Sequence, residues 1–276
     1  MTRGQNSDNQ NDTRYNIRVL DRAISLLSLL SDGKQRTPNE ISESIGLSPS
    51  TTFRLLATLA HYNYVKRDEQ TNQYRLGLAC LELARAYQDS NDLRKVALPV
   101  LEALRDDVKE TVHLAVLDQM EVIYLEKLSG LHAIGLMSSR VGGRSPAYCT
   151  GVGKVLLAYQ KPDQVKGYYN QLGLHPFTET TISDVEALMR HLQEVRDRGY
   201  AFDLGEHEPD VRCIATPIFD VSGQPIAALS ISGPALRLEP LEQNLEIIQK
   251  AKQTSQSISR QLGYSQPIAN EYLKEV

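Results

Sequence analysis

The sequence predicts an α+β (mixed α/β) chain in two parts: a small helical unit closed by a β-hairpin, and a larger unit with a mainly antiparallel sheet. Three observations carry this. Two short, capped helical segments follow one another between Thr37 and Leu59. Two short extended stretches, 64–67 and 73–76, come directly after them. Beyond residue 110, stretches of period two alternate with stretches of helical period.

The first part reads element by element. Val19 to Leu30 is an amphipathic helix, apolar at Leu20, Ala23, Ile24, Leu27 and Leu30. Thr37 caps the next helix, Pro38 suits its first position, and Glu40 completes a capping box. Ile41 and Ile45 give it one apolar side, and Gly46 supplies the left-handed residue that ends it. Ser48 and Pro49 start a second helix in which Thr52, Leu55, Leu56 and Leu59 recur at core-facing spacing. The face left over carries Ser50, Thr51, Phe53 and Arg54, small donors and a cation near the N-terminal end. A recognition helix uses that end on base edges and phosphates. The stretches 64–67 and 73–76, joined by the polar loop 68–72, form a wing whose Lys66, Arg67 and Arg75 are candidates for phosphate contact. Helix, helix-turn-helix and wing in this order make a winged DNA-binding domain, assigned to residues 15–77.

Residues 78–88 are apolar at helical spacing without glycine or proline and predict a stiff connection, which places a linker helix at 78–90. Residues 92–109 continue as an amphipathic helix with Val96, Val100, Leu101 and Leu104 on one side. Strands are expected at 111–117, 121–127 and 134–138, with Asp118-Gln119 turning between the first two. Helices follow at 151–159, 163–171 and 184–198. A hairpin pairs 213–219 with 225–232 around Asp220-Val221-Ser222-Gly223, and a long helix at 241–261 closes the unit. This second domain spans 91–264, between polar tails at 1–14 and 265–276, the first expected to be disordered.

Three pieces of the second part suit a ligand pocket. Cys149-Thr150-Gly151-Val152-Gly153-Lys154 lies where a helix begins, and free N–H groups there favour an anion. Asp203 and the loop to Cys213 form the second, although Asp203 reads equally as a cap for the turn at Gly205. Ser230 and Ser232, two apart on a strand, share one face.

Composition bounds the function. The net charge is −4, yet residues 15–76 carry +2, leaving −6 for residues 77–276. That asymmetry suits a mildly basic nucleic-acid reader joined to an acidic sensor. Three cysteines without paired spacing argue against a disulfide scaffold and, with no apolar membrane run or signal-peptide core, point to a cytoplasmic protein without a membrane partner. Tyr148 stands where a phosphate loop needs glycine and Val155 where it needs Ser or Thr, which argues against that nucleotide site. An enzyme with Cys213 as nucleophile and His207 or His113 as base, and a metal sensor built on Asp203, Glu206, His207 and Cys213, are the rival readings. Neither has a recognisable spacing, so no cofactor and no metal is expected.

The motifs VLDRAISLL, LSPSTTFRLLATLAHYNYV and YRLGLACLELA, followed by PAYCTGVGKVLLA and GYAFDLGEHEPDVRCIATPIFDVSGQPIAALSISGP, resemble the isocitrate lyase regulator (IclR) family of bacterial transcription regulators. The resemblance runs over about residues 16–264. It implies a GAF-like effector-binding domain after the winged helix-turn-helix, and a regulator, most often a repressor, of a catabolic operon. It implies DNA contacts from Arg22, Ser48, Ser50, Thr51, Phe53, Arg54, Lys66, Arg67 and Arg75, with Pro49 replacing a polar residue that many members carry. It implies small organic acids held by the Gly151 and Val152 backbone and by Asp203, Cys213, Ser230 and Ser232. Ile134, Met137 and Val211 would form an apolar wall, and Ser145, where some members are bulky, would enlarge the pocket toward a sugar or keto acid. Homodimers or homotetramers on a palindromic operator follow from the same likeness, since one helix-turn-helix reads only a few base pairs.

Overall fold

The structure, a computed structural model, describes residues 17–90, 92–132 and 137–265. The tail 1–14, all but the first residue of the tail 265–276, and Ile134 with most of the strand expected at 134–138 lie outside the described residues. The chain divides into two compact units, residues 1–90 and 91–276.

In the first unit, α1 (Arg18–Leu30), α2 (Pro38–Ser44) and α3 (Pro49–His61) are followed by β1 (Val65–Arg67), β2 (Tyr74–Leu76) and α4 (Leu78–Ser90). The local chemistry of α2 and α3 is as expected. Thr37 accepts from the Glu40 N–H while the Glu40 carboxylate accepts from the Thr37 N–H at 2.7 Å. Ser48 accepts from the Thr51 N–H, and Gly46 sits at φ +64° between the helices. The core gathers Leu26, Leu30, Ile41, Leu55, Leu56, Val65 and Tyr74. The apolar side of α1 is covered only in part: Leu26 and Leu30 are buried and Ala23 and Leu27 pack against the core, while Leu20 and Ile24 stand 55% and 60% exposed. The helix therefore has two apolar stripes, and this unit covers one of them. The wing is also wider than a hairpin. Arg36 exchanges backbone bonds with Tyr74 and forms a close ion pair with Asp32, holding that carboxyl below its usual range.

In the second unit, α5 (Asp92–Val108) precedes β3 (Thr111–Asp118), β4 (Glu121–Leu128), β5 (Arg144–Pro146), α6 (Gly151–Ala158), α7 (Pro162–Leu172) and α8 (Val185–Arg198). Then come β6 (Ala201–Asp203), β7 (Val211–Phe219), β8 (Pro225–Pro234), α9 (Ala235–Leu238) and α10 (Leu245–Gln261). Among the described residues the strands form one six-stranded sheet in the order β5-β4-β3-β8-β7-β6, antiparallel throughout. Alternate residues feed two cores. Leu114, Ile214, Leu229 and Ile231 pack under α5 and α10, while Ala115, Ala215 and Ala228 pack under α6 and α8.

Several sequence readings shift. The β3–β4 turn falls on Gln119 and Met120, both at positive φ, one residue beyond Asp118-Gln119. Met137 and Ser138 carry no strand; the edge strand is β5 instead. The closing helix begins at Leu245, because Asn244 caps it through the Ile247 N–H at 3.1 Å. In α5, Ala97 is buried and Val96 and Val100 only partly so.

The helix α6 is buried at every residue, and Lys154 within it is 0% exposed. Its ammonium pairs with the Glu206 carboxylate in the loop after β6. A buried ion pair is costly to break from one side, because the partner is left charged and unpaired. Lys154→Met should therefore lose about 3–5 kcal/mol of unfolding free energy. Adding Glu206→Leu should recover a large part, since both charges are then gone. Urea denaturation of the two variants measures this; equal stability of the single and double variants would contradict the assignment.

Candidate functional site

The candidate DNA-reading face lies on α3, whose start and that of α2 are fixed by the caps Ser48 and Thr37. Ser50, Phe53 and Arg54 are exposed on α3, Phe53 by 62%, and Thr51 is half-buried. The Ser48 hydroxyl is occupied within 3.3 Å by the Ser50 and Thr51 hydroxyls and the Thr51 N–H, so it orders the helix start. Lys66 and Arg75 face each other across the wing, and Arg67 is steadied by its Nε donating to Asn72 at 2.9 Å. Arg22 is half-buried on α1.

A second constellation lies in the larger unit, where α6 begins against the sheet. Gly151, Val152, Asp203, Val211, Cys213, Ser230, Ser232 and Met137 line one cavity, so the described effector candidates converge; Ile134 is outside the described residues. Gly151 faces the sheet, and a Cβ there would make ordinary van der Waals contact, 3.4 Å from the Ala215 side chain and 3.6 Å from that of Cys213. The cap residue Thr150 turns its hydroxyl to the Pro146 carbonyl at 3.0 Å rather than into the helix, which has no side-chain cap. The first-turn N–H groups of α6 are then the donors this end offers.

Sequence reasoning places His113 only in the rival enzyme and misses it as a pocket residue. It is buried on β3 opposite Ser230. Its Nδ1 lies 3.2 Å from the Ser230 hydroxyl and its Nε2 2.9 Å from that of Ser139, while Ser230 and Ser232 bond at 3.1 Å. Burial pushes its pKa down to about 3, with Lys127 adding to the effect, so it is neutral with one donor and one acceptor nitrogen. Parity on β3 is the available signal: His113 shares a face with Ala115 inside an otherwise apolar strand. Tyr124, Ser139, Thr150, His207 and Glu208 also line the cavity. Ser145 does not; it sits on β5, paired with Val122 of β4.

Two carboxylates set the electrostatics. Asp203 does both things its sequence position allowed: it lines the cavity and accepts from the Gly205 and Glu206 N–H groups at 3.1 and 2.7 Å. Burial raises its pKa to about 7 against the opposing pull of Lys154. Glu208 accepts from the Ser138 N–H and hydroxyl at 3.2 and 2.7 Å. Lys127 donates to the Met137 and Ser139 carbonyls at 3.1 and 2.6 Å, so the 137–139 segment is pinned over the cavity from two sides. The enclosed volume is about 30 Å³, room for about one water. Three members of the rival metal set, Asp203, His207 and Cys213, line this cavity, while the fourth, Glu206, is paired with Lys154. Among the described residues no three His, Cys, Asp or Glu side chains are placed to hold a metal. Burial pushes the Cys213 thiol far above its ordinary range, the reverse of an activated nucleophile.

Comparison with known proteins agrees with this geometry. The family described as the bacterial transcriptional regulator IclR C-terminal domain matches residues 85–260, and the IclR helix-turn-helix domain matches 19–69. The chain is 36% identical over 244 residues to the HTH-type transcriptional regulator KdgR of Escherichia coli, covering 88% of this chain and 92% of that one. It is 32% identical over 268 residues to the HTH-type transcriptional repressor AllR of Salmonella typhimurium, covering 97% and 98%. Among solved structures, the Thermotoga maritima IclR aligns with TM-score 0.71 at 31% identity, over 90% of this chain and all of that one. An IclR homolog from Microbacterium hydrocarbonoxydans complexed with 4-hydroxybenzoate aligns with TM-score 0.76 at 29% identity and the same coverage. Among the described residues no helix is long and apolar enough to cross a membrane.

The thiols give a direct check. Cys149 is buried and its pKa is pushed up to about 12, chiefly by desolvation, and Cys213 is raised further. Cys149 should resist a disulfide reagent at pH 8 until the protein is unfolded, and Cys213, half-buried like Cys80, should still react slowly because desolvation holds its thiol protonated. Rapid native labelling of Cys213, followed by mass spectrometry, would sink this account of the cavity.

Proposed function

The chain belongs to the IclR family of bacterial transcription regulators, and from that premise we propose that it is a cytoplasmic repressor of a catabolic operon, released or retained on DNA by a hydroxylated organic acid. It is a regulator and not an enzyme. The observation that carries the effector reading is the convergence, on one enclosed cavity, of an uncapped helix N-terminus with Ser230, Ser232, His113 and Asp203. Free N–H groups at α6 suit a carboxylate. The hydroxyl and imidazole array on β3 and β8 suits ligand hydroxyl or keto oxygens, because each member can donate or accept. Met137 and Val211 wall the apolar side. The Microbacterium homolog is complexed with an organic acid, 4-hydroxybenzoate, which supports the same chemical class here. A sugar acid or its keto derivative is larger than the enclosed volume, so binding moves the 137–139 segment or the 204–210 loop outward.

DNA recognition in this reading rests on Ser50, Thr51, Phe53 and Arg54 at base edges, with Arg22, Ser48, Lys66, Arg67 and Arg75 on the backbone. A homodimer meets a palindromic operator, and the N-terminal unit carries a surface suited to pairing. Ile17, Leu20 and Ile24 on and just before α1 and Leu78, Leu81, Leu83 and Tyr87 on α4 are all more than half exposed. No residue of α4 is buried, which is unusual for a helix with this many apolar side chains. The domain limits of 15–77, 78–90 and 91–264 follow this division of labour, with α4 as the connection that transmits the state of the sensor. A tetramer through the sensor units is part of the same proposal.

Four outcomes are expected. Arg54→Ala should weaken binding to the operator by about 1–3 kcal/mol in a gel-shift titration and leave effector affinity unchanged. Ser230→Ala with Ser232→Ala should do the reverse, and loss of both activities in both variants would refute the two-module account. A thermal-shift screen should give a selective rise with a sugar or keto acid, since a ligand that binds the folded state raises the melting temperature; a response confined to pyruvate-sized acids would go against the effector class. Finally, Asp203, with its pKa raised to about 7, is neutral below that pH and an anion above it. Affinity for an anionic effector should fall as pH rises through 7, and Asp203→Asn should flatten that profile. The same raised pKa makes the group's stability contribution present at low pH and lost as pH rises through about 7.

A further inference from the structure

A larger cavity, about 620 Å³, opens at the opposite end of β7 from the effector pocket. It exists because β6 pairs with β7 only from Cys213 to Ala215, leaving 216–219 without a strand on that side. Pro217 fits an unpaired edge because it has no N–H to satisfy. The Phe219 N–H goes to the Ser259 hydroxyl of α10 at 2.9 Å, and the Thr216 hydroxyl to the Ala251 carbonyl at 3.1 Å. The helix α10 thus closes one side, and the turn ending α8 closes the other. Cys213 and Pro217 are four residues of extended strand apart, ~13 Å, so the two cavities are separate sites.

The lining of this cavity has a definite chemistry. Phe219 stacks on Tyr264 with ring centres 5.0 Å apart and meets Tyr159 edge-on at 5.5 Å, giving an aromatic wall. Arg198, Lys252 and Arg260 also line it, and among the described residues none of them forms an ion pair with a carboxylate. Among the described residues that line the cavity Asp197 is the one acid, and it accepts instead from the Gln193 amide at 2.8 Å. The Arg198 guanidinium lies over Tyr200 and Phe202, with Nε donating to the Tyr200 carbonyl at 2.7 Å. Its Nη2 is buried and has no acceptor among the described residues. A buried donor without an acceptor costs free energy that an incoming anion would offset.

We propose that this cavity is a second ligand site, taking an aromatic anion: a flat ring against Phe219 and Tyr264, and a carboxylate or phosphate among Arg198, Lys252 and Arg260. The volume lies within the range of small-molecule sites, ~300–1,000 Å³. Flat rings gain from offset or edge contact with the aromatic wall. The guanidinium groups offer paired donors matched to either anion.

Isothermal titration of the full chain with 2-naphthoate and, separately, with adenosine monophosphate tests this. At least one probe should bind with a stoichiometry near one per chain; naphthoate alone would assign the site to aryl carboxylates, the nucleotide alone to phosphates. Lys252→Gln with Arg260→Gln should weaken that binding about tenfold or more. Arg260 is exposed and Lys252 half-buried, so this variant should keep the parent's melting temperature. Ser230→Ala with Ser232→Ala should leave the affinity unchanged. Absence of binding by both probes at millimolar concentration would overturn the proposal. So would binding that the serine variant abolishes and the Lys252/Arg260 variant retains, since the probe would then occupy the effector pocket.

Discussion

The seating of α6 on the sheet is the constraint on which the sensor unit depends. A Cβ on Gly153 would overlap the Ala147 carbonyl, so only glycine permits the helix to lie where it does. The helix is buried along its whole length, Lys154 included, and a buried ammonium requires a counter-charge. Glu206 supplies it, which fixes the loop after β6. The loop in turn carries His207 and Glu208 to the cavity beside Asp203 at the end of β6, and three threonines secure it: Thr178 and Thr180 donate to the Gly205 carbonyl and Thr181 to that of Glu206, at 2.6–2.9 Å. One glycine contact thus leads through one ion pair to the geometry of the pocket.

Within that pocket two opposed fields meet. The start of α6 attracts negative charge, while Asp203 and Glu208 would repel it. Burial decides the contest at Asp203: desolvation outweighs Lys154 and holds the carboxyl near half-protonation at pH 7. Once protonated, its free oxygen is a donor, because the other oxygen already accepts from two backbone N–H groups. Glu208 is engaged by Ser138 at the rim. The neutral form of this cavity is a set of hydrogen-bond donors and adaptable hydroxyls facing a helix N-terminus, which favours an acid bearing further oxygens over a purely apolar one.

Local chemistry makes much of this legible in the sequence. The capping box at Thr37 and Glu40, the cap at Ser48, the turn glycine at 46 and the shared face of Ser230 and Ser232 are determined within a few residues, and they stand as read. What depends on distant partners is not legible. The exposed stripe at Leu20 and Ile24 has the same helical spacing as a core stripe; only the packing of Leu26 and Leu30 tells them apart. The strands β5 and β6 are three residues long, too short for alternation to register, and they form because β4 and β7 offer edges. Nothing near Lys154 in the sequence marks it as buried, because its partner is fifty-two residues away. The place of His113 in the pocket escapes a sequence reading because its hydrogen-bond partners come from β8 and from the segment after residue 136.

The two cavities of the sensor unit share their scaffold. The helix α6 begins at the proposed effector pocket with Gly151 and is followed at its other end by Tyr159, which lines the aromatic cavity; β7 contributes Cys213 to one and Phe219 to the other. A buried helix whose every residue is packed moves as a body rather than bending, so a displacement required at its first turn is felt at its last. If occupation of either site favours a different seating of α6, each ligand must alter the affinity of the other by the same factor, because coupling free energy is reciprocal. The Lys154–Glu206 pair sits midway along that helix and resists displacement. It therefore sets how much of one site's binding energy can reach the other, and a regulator built on this scaffold has room for two chemical inputs without a second sensor domain.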